Sequence, residues 1–209
     1  MANIFDYIKW RDIEFERVEF NEIDNLILSR ISYFPFDHII NEKEKITLKQ
    51  AYEKLKDRNK NEIFLQKEDI DFFPMLANSK RFGNIILSNY INKIDIEKEK
   101  QFSAITITLP NKTMYIAYRG TDNTIIGWKE DFNMSFQDLI PSQIDAVKYL
   151  ENVAKNNKSK LIIGGHSKGG NLAVYAAIYC NKKIKDRILA VYNNDRPRVS
   201  RKYNRIRRI

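Results

Sequence analysis

Histidine and cysteine are scarce in this chain of 209 residues, which has two of the first and one of the second. The single cysteine, Cys180, excludes a disulfide framework and a cluster of thiolate ligands. Seven glycines and five prolines form no Pro-, Gly- or Ser-rich linker, so nothing divides the chain. Its length suits one domain with a real core. No apolar run is long enough to span a bilayer. The opening MANIFDYIKWRD has no basic leader followed by an apolar stretch, unlike a secretory signal, and a reduced, cytoplasmic setting is the expectation. Glu68, Asp69 and Asp71 stand without a matching His or a Gly-punctuated loop. They are expected on solvated faces rather than around a cation, and no metal or cofactor is expected.

What the chain has in quantity is apolar and basic residues. A composition 43% hydrophobic and 12% aromatic excludes a disordered chain. The net charge of +9 suggests nucleic acid, but its distribution argues against that. Residues 196–209, RPRVSRKYNRIRRI, hold seven Lys/Arg and no acid, which leaves +2 for residues 1–195. The basic character belongs to one short tail. Such a tail can bind phosphates or an anionic surface, yet a solvated or aberrant end is the simpler expectation. Nucleic acid is not an expected partner.

Residues 1–100 read as mostly helical. Ile4, Phe5 and Ile8, then Ile23, Leu26, Ile27 and Ile31 recur at helical spacing, and Pro35 stops the second helix. Leu48 to Leu55 continues the pattern, with Thr47 as N-cap. Asp71 to Ile91 suggests one or two further helices, broken at Gly83. The character changes at Gln101. FSAITITL (102–109) and TMYIAY (113–118) flank the turn Pro110-Asn111-Lys112 and read as a β-hairpin. Ile144, Val147, Leu150 and Ala154 then make one helical stripe. Strands are expected at 161–163 and 188–192 with a helix between them. Strand, helix, strand, helix, strand predicts an α/β fold with a mostly parallel sheet and flanking helices. In such sheets chemistry collects at the carboxyl ends of the strands, where Thr121 and Ser167 fall.

The most informative stretch is LIIGGHSKGGNLAVYAA, Leu161 to Ala177. A short β-branched run leads into glycines and then into a small-residue helix. Within the turn, Gly165-His166-Ser167-Lys168-Gly169 matches G-x-S-x-G, the nucleophile elbow of α/β-hydrolases. The spacing has a physical reason: the serine must occupy a strained turn above the sheet edge, and glycines let strand and helix approach. The first N–H groups of the following helix then face any oxyanion that forms.

Tyr118–Asp122 (YRGTD) followed by Trp128-Lys129-Glu130-Asp131-Phe132 resembles the strand-to-loop segment of class-three lipases. Together with GGHSKGGNLAVYAA, with MANIFDYIKW and FNEIDNLILSRISYFPFD, and with YNND at Tyr192–Asp195, it resembles more closely the bacterial Mbeg-like family, a domain of unknown function related to those lipases. The resemblance covers roughly residues 1–195. It implies an α/β-hydrolase fold and a serine hydrolase whose substrate would be a small-molecule ester or lipid. Ser167 would then be the nucleophile, with the backbone N–H groups of Lys168 and Thr121 as oxyanion donors. Arg119 would brace the loop by pairing with an acid, His166 would be a packing residue, and Trp128 would pack in the core or under a lid.

The departures from that pattern matter equally. A serine nucleophile needs a base, nearly always a histidine oriented by a carboxylate, and in this fold both follow the serine. Neither His38 nor His166 lies after Ser167. Asp195, at the end of the last strand, is the one candidate acid. Where the resemblance calls for Gly-Pro-Gly after YNND, the chain has Arg196-Pro197-Arg198, so residues 196–209 are expected to be a frameshift or premature-end product and the last strands to be missing. The exposed sheet edge this would leave predicts dimerisation or instability. Two function classes follow: a serine esterase whose base comes from continued chain or an unusual residue, and a hydrolase-like protein that keeps the elbow but lacks the triad.

Overall fold

The computed structural model describes residues 3–40, 44–58, 64–155 and 157–195. The basic segment 196–209, and with it the expectation about that end, lies outside the described residues.

The N-terminal helices are started by their own side chains. Helices α1 (Ile4–Trp10), α2 (Glu22–Ile31) and α3 (Leu48–Leu55) are capped by Asn3, Asn21 and Thr47. Each cap accepts from the N–H three residues on, and Asp6, Asp24 or Gln50 returns a bond to the cap's own N–H. An N-cap of this kind is worth about 1 kcal/mol. Helix α4 (Asp69–Asn78) follows. Its Asp69 corrects the expectation of a solvated face. The residue is fully buried, and its Oδ1 accepts from Arg30 Nε at 2.5 Å. Burial raises the Asp69 carboxyl above its ordinary range, against the pull of Arg30.

Six strands form one sheet among the described residues: β1 (Lys45–Thr47), β2 (Ile86–Asp95), β3 (Lys100–Thr108), β4 (Met114–Tyr118), β5 (Leu161–His166) and β6 (Ile188–Asn194), in that spatial order. β1 through β4 pair antiparallel, and only β4–β5 and β5–β6 are parallel. The sheet is therefore mixed, not mostly parallel as the alternation of elements implied. The difference arises in the first hundred residues, where β1 and β2 replace expected helix. β2 carries a register shift between Ser88 and Ile91, with Asn89 at φ 52°. Such a bulge flips the side-chain alternation midway and erases the period of two that marks a strand in sequence.

The expected hairpin is present as β3–β4, with Lys112 at φ 68° in its turn. Two crossovers build the parallel part. Helices α5 (Ile125–Asn133) and α6 (Pro141–Lys155) link β4 to β5, while α7 (Lys168–Tyr179) and α8 (Lys182–Lys185) link β5 to β6. Strand side chains alternate between two cores. Ile105, Ile107, Tyr115, Ala117 and Ile162 face the N-terminal helices with Ile27, Leu28, Phe34 and Phe73. Ala104, Ile116, Tyr118, Leu161 and Ile163 face α6 and α7 with Ala146, Leu150, Leu172 and Ala173. Helices on both faces explain why these strands read as continuous apolar runs. Among the described residues no helix is long and apolar enough to cross a membrane.

Candidate active site

The three parallel strands end side by side at Tyr118, His166 and Asn194. Directly beyond them lies a cavity of about 500 Å³ lined by Thr121, His166, Ser167 and Asn194 from the sheet edge. Ile4, Leu26, Ser29, Arg30, Tyr33 and Gln66 close it from the N-terminal side. Ser167 and Thr121, placed at strand ends from sequence, thus share one cavity.

Ser167 sits between β5 and α7 at φ 55°, ψ −127°, a conformation that a side chain disfavours and glycine tolerates. Its N–H donates to the Asn194 carbonyl at 2.9 Å, and its own carbonyl accepts from the Gly170 N–H at 2.9 Å and the Asn171 N–H at 3.3 Å. The turn is therefore tied at both sides. Two glycines permit it. A Cβ on Gly169 would stand 2.1 Å from the Tyr118 carbonyl oxygen, and one on Gly165 2.4 Å from the Gly169 backbone. Helix α7 can approach β4 this closely only because both lack side chains.

The loop after β4 is held separately. Arg119 is 4% exposed. Its Nη2 donates to Asn92 Oδ1 at 2.9 Å and to Asp122 Oδ2 at 3.2 Å, so it braces the loop through an acid. Asp122 Oδ1 accepts from the Thr124 N–H at 2.9 Å, and Thr124 Oγ1 in turn caps α5 by accepting from the Gly127 N–H at 3.0 Å. The Gly120 N–H donates to Tyr33 Oη at 3.1 Å. Burial pushes the Tyr33 phenol up to about 12, opposed by that N–H. Among the described residues the N–H groups of Thr121 and Lys168 have no acceptor. Thr121 Oγ1 is also buried without a partner.

Beneath the elbow the Lys168 side chain is fully buried. Its Nζ donates to the Gln101 carbonyl at 2.7 Å, to Gln101 Oε1 at 2.9 Å and to Glu130 Oε2 at 2.8 Å. Burial lowers the Lys168 ammonium below its ordinary range, and Glu130 counters that shift.

Other residues singled out in the sequence stand elsewhere. His166 is exposed in the cavity wall rather than packed, its Nδ1 3.3 Å from Tyr33 Oη. His38, exposed at φ 61°, does not line the cavity. Asp195 is exposed at φ 50° just past β6 and does not line it either. Trp128 is 65% exposed on α5, so it packs in no core. Sequence reasoning missed Tyr33, Asn194 and the Glu130 carboxylate. Tyr33 carries no local signal. Glu130 had one, its place between Trp128 and Asp131 in the loop motif.

No curated protein and no solved structure matches the chain. A family model, Mbeg1-like, matches residues 76–207, well over half of the chain. That span contains β2 to β6, the Arg119–Asp122 loop, Glu130 and the elbow, and it runs into the basic segment. The motifs quoted from the first 75 residues fall outside it. The chain belongs to the Mbeg1-like family.

Proposed function

We propose that the protein is a serine hydrolase of the lipase or esterase type, related to class-three lipases through its loop and elbow motifs, acting on a small ester or lipid in a cytoplasmic setting. The observation that carries this reading is the strained conformation of Ser167, at φ 55° and ψ −127°, in the wall of the cavity it shares with Thr121. A structural strand-to-helix turn has no need of a serine there, since glycine would fit without cost. In the reaction Ser167 Oγ attacks the ester carbonyl carbon, its proton passes to a base, and the oxyanion is held by the N–H groups of Lys168 and Thr121. Collapse breaks the bond to the leaving alkoxide, which takes the proton. Water then repeats the sequence on the acyl-enzyme and frees the acid.

The base gives the second reading its support. The histidine in the cavity wall, His166, is engaged at Nδ1 by the Tyr33 phenol and not by a carboxylate, whereas a serine base is ordinarily oriented by one. In that reading the elbow persists in a hydrolase-like protein without an activated serine. Fluorophosphonate labelling of the purified 209-residue chain separates the two. Labelling that disappears in Ser167→Ala supports the hydrolase. A folded protein that does not label refutes it and supports the second reading.

A further inference from the structure

Two motifs that the proposed chemistry leaves unexplained meet in the structure. One is the lysine following Ser167, of which the reaction uses only the backbone N–H. The other is the acidic residue of Trp128-Lys129-Glu130-Asp131. Their side chains form an ion pair with both partners fully buried, Lys168 Nζ to Glu130 Oε2 at 2.8 Å. Every bonding position of this pair is used. The three ammonium protons go to Glu130 and to the two oxygens of Gln101. Glu130 Oε2 also accepts from the Gln101 N–H at 3.0 Å, and Oε1 accepts from the Ser142 N–H at 3.1 Å and from Ser142 Oγ at 2.5 Å. A charge pair taken out of water is tolerable only with such complete satisfaction.

The pair joins four separate pieces of chain. Lys168 begins α7, Gln101 lies on β3, Glu130 lies on α5, and Ser142 lies in the first turn of α6. Helix α5 starts at its cap Thr124, which Asp122 holds, and Asp122 is braced by Arg119. Thr121 lies between those anchors. One continuous set of bonds therefore runs from the residue that carries one candidate oxyanion donor to the loop that carries the other.

We propose that the buried Glu130–Lys168 pair, seated on Gln101, is a positioning device that fixes the Lys168 N–H at the elbow relative to the Thr121 N–H on the loop. Glu130 and the Lys168 side chain touch no reacting atom; they act through the backbone they hold. The role rests on the serine hydrolase reading for its consequence in catalysis, but the mechanical tie between elbow and loop can be read without activity. An electrostatic site needs its donors fixed in advance, and a misplacement near 1 Å costs on the order of 100-fold.

The test uses the full chain carrying Glu130→Gln, Lys168→Met or the milder Gln101→Met, which removes one Lys168 acceptor and leaves both charges paired. Asp24→Asn, which breaks the buried Arg81–Asp24 pair instead, is the control. At a temperature where near-ultraviolet dichroism shows each variant folded, two quantities are measured. One is fluorophosphonate inactivation, resolved into a limiting rate and an affinity. The other is amide hydrogen exchange in segments 119–124 and 164–171 against β2 and α3. We expect Glu130→Gln and Lys168→Met to lower the limiting rate about 10- to 100-fold with affinity unchanged, and to speed exchange in those two segments alone. Gln101→Met should shift both quantities in the same direction by less, and it decides the matter should the charge variants not fold. Asp24→Asn should move neither selectively. A wild-type limiting rate in the folded variants, or exchange that quickens evenly through the sheet, overturns the proposal. If the wild type does not label but exchange responds only in the two segments, the hydrolase reading falls and the tie between elbow and loop stands.

Discussion

Replacing Ser167 with glycine should make the protein more stable, while replacing it with alanine should not. At φ 55° and ψ −127° the strain belongs to the Cβ, which alanine keeps and glycine removes. A residue held in such a region costs about 1–3 kcal/mol. Glycine gives part of this back, because it frees the unfolded chain by about 0.5–1 kcal/mol. The hydroxyl offsets nothing, since the Ser167 side chain makes no cap hydrogen bond to α7. The net expectation for Ser167→Gly is a gain of about 0.5–2 kcal/mol, and for Ser167→Ala a change within about 0.5 kcal/mol. For a domain of this size each kcal/mol moves Tm by about 2–4 °C, so the glycine variant should melt about 1–8 °C above wild type. Urea unfolding with a raised midpoint and an unchanged m-value is the expected form of the gain, a change in stability without a change in the surface exposed on unfolding. A glycine variant no more stable than the alanine variant would refute the strain argument. It would also remove the main support for Ser167 as a nucleophile, because a relaxed serine there needs no functional explanation.

Two further outcomes concern the Asp24–Arg81 pair and the tyrosines withdrawn from water. Asp24 accepts from Arg81 Nε at 2.8 Å and Nη2 at 2.5 Å, and Arg81 also donates to the carbonyls of Ile13, Val18 and Glu19. Asp24→Asn leaves that guanidinium buried without its counter-charge and should cost about 3–5 kcal/mol, read as a lower urea midpoint; a loss under 1 kcal/mol would count against it. The second outcome concerns alkaline pH. Burial pushes Tyr33 from its ordinary 10 up to about 12 and raises Tyr90, Tyr115, Tyr118 and Tyr149 as well. Above pH 10 the unfolded chain therefore releases protons that the native state keeps. The stability is complete below pH 10 and falls as pH rises, by about 1.4 kcal/mol per unit for each such tyrosine. These five of the chain's eleven tyrosines should accordingly form tyrosinate only together with unfolding. Absorbance showing all eleven ionised near pH 10 in folded protein would contradict this.

The sequence made some elements legible and hid others for identifiable physical reasons. Helices with their own caps were readable because capping is local: Thr47 and Gln50 close the start of α3 on each other, while the N–H groups of Leu48 and Lys49 go to the distant carbonyls of Ile85 and Gly83. The β3–β4 hairpin was readable because turn and strand signals lie within one short stretch. β2 was not, because its bulge at Ser88–Ile91 breaks the alternation. Nor was the pairing direction across the sheet, which depends on which neighbours meet rather than on any one segment. The elbow announced itself through glycines whose absent side chains the close packing demands. Tyr33 did not, because its position at the Gly120 N–H, 87 residues away in sequence, is a product of the fold. The side chain of Lys168 was hidden differently. A lysine in a loop motif is ordinarily solvated, and only the placement of Gln101 and Glu130 makes its burial possible.

The origin of the cavity walls separates two aspects of the site. Thr121, His166, Ser167 and Asn194 come from the matched segment 76–207, whereas Ile4, Leu26, Ser29, Arg30, Tyr33 and Gln66 come from before it. The groups that would bear on a carbonyl thus sit on strand ends, held by sheet pairing and the buried Lys168–Glu130 tie. The groups that set the cavity's shape and polarity sit on α1, α2, the turn after α2 and the loop before α4. These two sets are joined at few points. One is the Tyr33 phenol on the Gly120 N–H, and another is the Asn194 amide, whose Nδ2 donates to Ser29 Oγ at 3.0 Å and whose Oδ1 accepts from Asn25 Nδ2 at 2.9 Å. Substitutions on α1 or at Gln66 can therefore reshape what fits the cavity without disturbing the elbow, but a change at Tyr33 or Asn194 alters fit and geometry together.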